Sequence, residues 1–290
     1  MISVTGSSGK TGRAVVRALV ASDAAARALI HREDLVERMQ ALGAAEVVVG
    51  DLTDEVSLER ALAGSSVVYH ICPNVSQNEE EIGQRVIDVC KRLDVERLVY
   101  HSVLHPQIEA MPHHWAKLRV EERLIESGLS FTILQPAAYM QNLRAQWKSV
   151  TGRGVLEVPY AASTCLSMVD LADVADVAAR ILTENGHDGA TYELCGPEVM
   201  DQHEIAAVLS SRLGRAMRVE VVDRKEWALR TRESGLGSYA IESLLAMFDY
   251  YERYGFSGNP RVLEGLLGRP TAGLGEVVER WLAQEEGTNE

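Results

Sequence analysis

Three glycines at three-residue intervals, Gly6, Gly9 and Gly12, stand directly between an apolar run, Met1–Thr5, and an amphipathic stretch, Lys10–Ala21. No other feature constrains the chain as much. A strand that turns sharply into a helix needs a residue without a Cβ, and Gly6 supplies it. Gly9 lets the backbone approach a pyrophosphate, and Gly12 lets the helix lie close against the sheet. The first N–H groups of the helix and its positive dipole end then face the phosphates, with Ser8, Lys10 and Thr11 in the same turn. A glycine triplet alone is a weak signal. Its place between strand and helix, in a βαβ unit, makes it informative. Gly9-Lys10-Thr11 does not complete a P-loop, because no glycine stands at the required position before it.

The rest of the first 150 residues repeats this alternation. Apolar runs fall at Arg27–Ile30, Glu46–Gly50, Ser66–Cys72, Arg97–Ser102 and Ser130–Gln135. Helical patterns lie between them at Glu33–Leu42, Glu55–Ala63, Glu79–Leu93 and His113–Ser127, the last with an apolar stripe of Leu118, Val120, Leu124 and Ile125. Strand and helix in strict alternation predict an α/β fold, a doubly wound parallel sheet of the Rossmann type. The continuous run Val47–Val49 fits a strand buried on both faces.

Beyond residue 150 the pattern loosens. Val155–Val158, Thr191–Cys195 and Arg218–Val222 read as strands. Helices are predicted from Asp170 to Leu182 and, capped by Asp201, to Leu213, and the remainder is mostly helical. This gives a dinucleotide-binding domain over 1–150 and a smaller region over 151–290, with segments near 165–195 crossing back to the first sheet. The stripe Ile241/Leu244/Leu245/Phe248 reads as packing rather than a cofactor box.

The choice of dinucleotide turns on the end of the second strand. An NAD site carries Asp or Glu there. Here the residues are His31 and Arg32, and a guanidinium suits a 2′-phosphate. NADP(H) is therefore preferred and NAD(H) is possible, with Glu33 as the ribose ligand in the second case. Asp51, in Gly50-Asp51-Leu52, is placed either to accept from the adenine amino group or to cap a turn.

Composition narrows the partners. A formal charge of −13 without clustered Lys and Arg argues against nucleic acid. Cys72, Cys90, Cys165 and Cys195 are scattered, as expected of reduced thiols in a cytoplasmic protein. No signal peptide or membrane span is expected. His101, His105, His113 and His114 lack a ligand spacing, so no metal is expected. Only the polar tail 284–290 suggests disorder.

Gly6/Gly9/Gly12, Arg32, Gly50-Asp51-Leu52 and Lys117 together resemble the atypical short-chain dehydrogenase/reductase superfamily, and its NmrA-like branch in particular. Residues 128–136 resemble that family's sixth strand, 169–175 its V-D-x-x-D-V-A segment, and 192–197 the strand and turn that follow. The likeness covers most of the chain and thins after about residue 225. It implies a Rossmann domain and a smaller C-terminal domain with a small-molecule substrate between them. Cys72 and Pro73 would then pass over the cofactor, and Tyr139 and Asn142 would line the substrate pocket.

The family's usual catalytic pair is Tyr-x-x-x-Lys, one helical turn apart. This chain has His113 and Lys117 in that arrangement. The readings are a Lys117 that anchors the nicotinamide ribose, a His113 that donates the proton, or a site without catalysis. Ser102 stands where the family often has a serine by the substrate carbonyl. Two functions follow from the resemblance. One is an NADP(H)-dependent reductase of a small carbonyl, quinone or enone-type molecule. The other is a non-catalytic redox sensor acting through a protein partner. Sugar-nucleotide epimerisation is disfavoured by the missing tyrosine.

Overall fold

The computed structural model describes residues 1–286 and divides them into two compact units. The first comprises 1–109, 113–136 and 174–193, the second 110–112, 137–173 and the rest of the described chain from 194.

The first unit begins β1 (Ile2–Val4), α1 (Lys10–Ala21), β2 (Ala26–Ile30), a 3₁₀ turn at Glu33–Leu35, α2 (Val36–Ala41), β3 (Glu46–Val49), α3 (Glu55–Leu62) and β4 (Val67–His70). It continues α4 (Glu79–Arg92), β5 (Arg97–His101), α5 (Pro112–Glu126) and β6 (Phe131–Pro136). The glycine turn thus joins a strand to a helix as the spacing requires.

Unit two starts with β7 (Ala138–Tyr139), α6 (Trp147–Arg153), β8 (Val155–Val158) and β9 (Leu166–Val169). The chain re-enters unit one along α7 (Leu171–Thr183) and leaves it along β10 (Ala190–Leu194). It ends with β11 (Val199–Met200), α8 (Gln202–Leu213), β12 (Arg218–Val221), α9 (Arg224–Glu233), α10 (Ser238–Tyr254), α11 (Arg261–Leu267) and α12 (Leu274–Glu286).

The main sheet has seven strands in the order β10-β6-β5-β4-β1-β2-β3. Its strands run parallel, with Ile2 opposite both Ala26 and Val67, and Val4 opposite Ala28 and Tyr69. All five residues of β5 are buried, which requires cover on both faces of the sheet. On one face Leu29, Val68, Leu98, Tyr100 and Ile133 pack with Leu58, Ile82, Val86, Ile87, Val120 and Leu124 of α3, α4 and α5. The strand order reverses between β1 and β4, and ligands of such sheets bind at that switch point, outside the carboxyl ends of the strands.

Two expectations about packing are corrected. Val47–Val49 is only half buried, because β3 is the last strand of the sheet and has a neighbour on one side alone. In α5 Val120 and Leu124 are buried, but Ile125 is 58 % exposed, since it lies about 100° around the helix from Leu124.

The second unit holds a three-stranded sheet, β11-β9-β7, and a parallel pair, β12-β8. Its boundary falls after Pro136, earlier than the expected 150, because β7 pairs with β9 and so leaves the main sheet directly after β6. Trp147 and Trp281 meet edge to face at 5.3 Å in a core with Met140, Leu156, Leu209, Leu274 and Val277. Asp201 caps α8, as read from the sequence, and Glu204 completes a capping box with it. Of the polar tail, 284–286 complete α12 and 287–290 lie outside the described residues. No helix among the described residues is long and apolar enough to cross a membrane.

Candidate functional site

The turn after β1 is fixed from both sides. Ser7 N donates to Leu29 O of β2 at 3.1 Å. The Thr5 hydroxyl accepts from Ile71 N at 2.9 Å and donates to Ile71 O at 3.1 Å. Gly6 has φ +58°, and a Cβ there would stand 2.9 Å from Ile71 O. Gly12 is tighter still, since its Cβ would lie 2.4 Å from Gly6 O and 2.6 Å from Ser7 Cα. Gly9 differs. It is the exposed N-cap of α1, and a Cβ on it would meet only Gly6 O, at 3.2 Å.

This arrangement suits a diphosphate. No side chain caps α1 and no acidic residue occupies its first turn. Its first N–H groups therefore point out beside a residue with no side chain. Cationic charge gathers on the same edge. Arg13 donates to Ser8 O, and its guanidinium is held below its usual value by burial and by Arg38 and Arg17. Arg38, on α2, was not singled out in the sequence, where it reads as one more polar residue of a short helix.

Arg32 stands after β2 and is exposed. Its fork grips Asp34 through Nε to Oδ1 at 2.9 Å and Nη2 to Oδ2 at 2.6 Å. Asp51 is exposed too. One oxygen, Oδ1, accepts from Thr53 N at 2.8 Å and Thr53 Oγ1 at 2.7 Å, and these bonds hold its carboxyl below the usual range. It therefore makes the turn that the sequence allowed as one of two roles. Leu52 follows it, half buried.

The loops after β4 and β5 carry Cys72, Pro73 and Ser102. Cys72 is buried, its thiol pushed up by burial and by Glu79, while Pro73 is exposed. Two residues here have left-handed backbones, Val75 at φ +49° and His105 at φ +53°. For a β-branched residue this is strained, at a typical cost of about 1–3 kcal/mol, and such strain gathers at functional sites.

Lys117, on α5, donates to Glu79 Oε1 at 2.9 Å and to His101 O at 3.4 Å. Its ammonium lies over the Tyr100 ring, 5.4 Å from the centroid. The Tyr100 hydroxyl donates to the same Glu79 oxygen at 2.8 Å. Burial pushes the Glu79 carboxyl up, but Lys117 and Tyr100 more than offset this and leave it below its usual value. Ser102 is buried and its hydroxyl donates to Glu121, which also accepts from Gln135 Nε2 at 2.9 Å. The Glu121 carboxyl is raised by burial, against the pull of Ser102, Gln135 and Lys117.

Glu79 and Glu121 were missed in the sequence, although the signal was there. Glu79 shares the i, i+3, i+4, i+7, i+8 stripe of Ile82, Gly83, Val86 and Ile87. Glu121 shares that of Lys117, Val120 and Leu124. Each is a carboxylate on an apolar face, and such a residue needs partners.

His113 is held neutral, lowered to about 4 by burial and by Lys117, and its Nδ1 is buried without a hydrogen-bond partner. Its ring meets that of His114 edge to face at 4.5 Å. An imidazolium donor at His113 would have to form against that burial. Replacing His113 with Asn is therefore expected to leave the pH profile of turnover between pH 6 and 8 unshifted; an acidic limb lost in the variant would restore His113 as the acid. Tyr139 and Asn142 belong to the second unit, Tyr139 in β7 and Asn142 in the 3₁₀ segment Met140–Gln146.

A model of the NmrA-like family matches residues 1–282. The chain belongs to the NmrA-like family. Among its relatives is quinone oxidoreductase 2 of Escherichia coli K12, 28 % identical over 289 residues, which are 96 % of this chain and 97 % of that protein. Another is the NAD(P)H azoreductase of Xenophilus azovorans, 29 % identical over 223 residues, covering 75 % and 76 % of the two chains. The crystal structure of the E. coli NADPH-dependent quinone oxidoreductase with NADPH superposes at a TM-score of 0.85. It is 25 % identical and covers 97 % of this chain and all of that one. The Rossmann-type sheet and its glycine turn are thus those of an NmrA-like protein.

Proposed function

We propose that this NmrA-like protein is an NADP(H)-dependent reductase of small quinone-type molecules. The observation that carries the reading is the turn at Gly6, Gly9 and Gly12, which leaves an uncapped helix end with space for a diphosphate and for nothing bulkier on the backbone. Relatives of matching length that reduce quinones and azo compounds support the substrate class.

In this reading the amides of Lys10, Thr11 and Gly12 hold the diphosphate, with Ser8 and Lys10 beside it. Arg32 turns from Asp34 to the 2′-phosphate. Both members of that pair are more than half exposed, 56 % and 64 %, so their attraction is weak and easily exchanged. Asp51 and Leu52 border the adenine, and Cys72 and Pro73 the diphosphate. NADPH supplies a hydride when bound. Lys117 holds the nicotinamide ribose, its ammonium kept in place by the ion pair with Glu79. Ser102 keeps Glu121 in place, its own hydrogen directed there. Tyr139 and Asn142 are offered as pocket residues.

Arg32→Ala is expected to weaken NADPH binding about tenfold or more while leaving NADH within about twofold, because a charge-assisted fork to phosphate is lost. Asp34→Asn, which releases the fork, is expected to tighten NADPH a few-fold. Titration of the three proteins with both coenzymes checks this, and equal losses for NADPH and NADH would remove Arg32 from the phosphate. The function itself is tested by following NADPH oxidation with benzoquinones, naphthoquinones, azo dyes and enones. Turnover with a quinone supports it; tight NADPH binding with no turnover across the panel points instead to the sensor.

A further inference from the structure

The strongest unexplained feature of the first unit is a buried carboxylate that no sequence motif marks. We propose that Glu79 is the positioning residue for Lys117, fixing its ammonium at the carboxyl ends of β4 and β5 so that one N–H remains for the nicotinamide ribose. The inference rests on the NADP(H) reading above.

The geometry carries it. An ammonium has three donors. Lys117 spends one on Glu79 Oε1 at 2.9 Å and one on His101 O at 3.4 Å, which leaves a single direction for a ligand. The Tyr100 hydroxyl, 2.8 Å from the same Glu79 oxygen, fixes the carboxylate, and the Tyr100 ring closes the space below the ammonium. Glu79 is 3 % exposed and the Lys117 side chain 15 %, so neither charge wanders in solvent. Glu79 starts α4 and Lys117 sits one turn into α5, so the pair also ties the two helices at the level where β5 ends.

The surroundings leave Glu79 as the counter-charge. From β4 and its loop come His70, lowered to about 4 by burial, and the Cys72 thiol, raised by burial. From β5 come the Tyr100 phenol, raised by burial, and His101, lowered to about 3. From α5 itself come His113 and His114, lowered to about 4 and about 3. None of these is charged near neutrality. Glu121, the other carboxylate, faces Ser102 and Gln135 and makes no ion pair with Lys117.

The experiment uses the full chain with wild type, Glu79→Gln, Glu79→Asp, Lys117→Met and the double variant Glu79→Gln/Lys117→Met. NADPH affinity and kcat/KM for a quinone are measured from pH 6 to 10. Glu79→Gln is expected to lower kcat/KM about tenfold to a hundredfold, as misplacement of a binding group does, with most of the loss in KM for NADPH. The double variant should be no worse than Lys117→Met alone, since both act through one interaction. If Glu79→Gln is too unstable to assay, Glu79→Asp carries the same test, for it keeps the charge and withdraws the oxygen by one carbon–carbon bond. A Glu79 variant with lowered thermal stability but the wild-type KM for NADPH would overturn the proposal, as would additive losses in the double variant. Failure of the wild type to bind NADPH would instead overturn the proposed function.

Discussion

Gly12→Ala is expected to destabilise the first unit by about 3 kcal/mol, the upper end of the range for overpacking a tight site. The added methyl group would stand 2.4 Å from Gly6 O and 2.6 Å from Ser7 Cα. Both obstacles are backbone, and both belong to a turn that Thr5 and Ser7 bond to β4 and β2. A flexible side chain could move aside, but this turn cannot without breaking those bonds. Coenzyme binding should be lost with it. Gly9→Ala separates the two effects. Gly9 has φ −70° and ψ 170°, which any residue adopts, and its Cβ would meet only one oxygen at 3.2 Å. That variant should keep the fold and lose affinity for NADPH, because its methyl group projects to where the diphosphate lies. Chemical denaturation paired with coenzyme titration reads both. A Gly12→Ala protein of wild-type stability would contradict the packing assigned to α1.

Asp170→Ala is expected to cost about 3 kcal/mol in the second unit, because it removes a buried charge and strands its partners. With a typical dependence of roughly 2–4 °C per kcal/mol for domains of 150–250 residues, the melting temperature should fall by roughly 10 °C. The Asp170 side chain is fully buried. It accepts from Gln141 Nε2 at 2.6 Å, from Ala172 N at 3.2 Å and from Arg280 of α12. Arg280→Ala should cost much less, about 1 kcal/mol, because its side chain is 48 % exposed and Asp170 keeps the other two donors. Asp173 does parallel work, accepting from Ala272 N and Arg269 at 2.8 Å each. The V-D-x-x-D-V-A segment is thus an anchor for the chain after residue 260. Equal melting temperatures for the Asp170 and Arg280 variants would contradict this account.

These two sites show what the sequence made legible. The glycine turn could be read because its geometry is local: strand, turn and helix follow within a dozen residues, and α1 runs from Lys10 to Ala21 as expected. The parallel sheet was readable for the same reason, through repeated alternation. The edge position of β3 was not, since the order of strands in a sheet leaves no mark on the periodicity of any one of them. The boundary after Pro136 was also hidden. It depends on the two-residue strand β7 finding β9, and two residues carry no pattern. At the site, Lys117 was marked by its spacing from His113, but its partner Glu79 lies 38 residues earlier on another helix. Only its position on the apolar stripe of α4 set it apart from Glu80 and Glu81. The state of His113 was illegible, because burial by residues distant in sequence sets it.

The central claim is that the turn after β1 holds the diphosphate of NADP(H). Calorimetric titration of NADPH into the wild-type chain and into Gly9→Leu tests it most directly. Saturable binding to the wild type, tighter than that of NADH and abolished in a Gly9→Leu protein that melts like the wild type, is the result expected here. Absence of heat with NADPH, or binding that the Gly9 substitution leaves untouched, would contradict it.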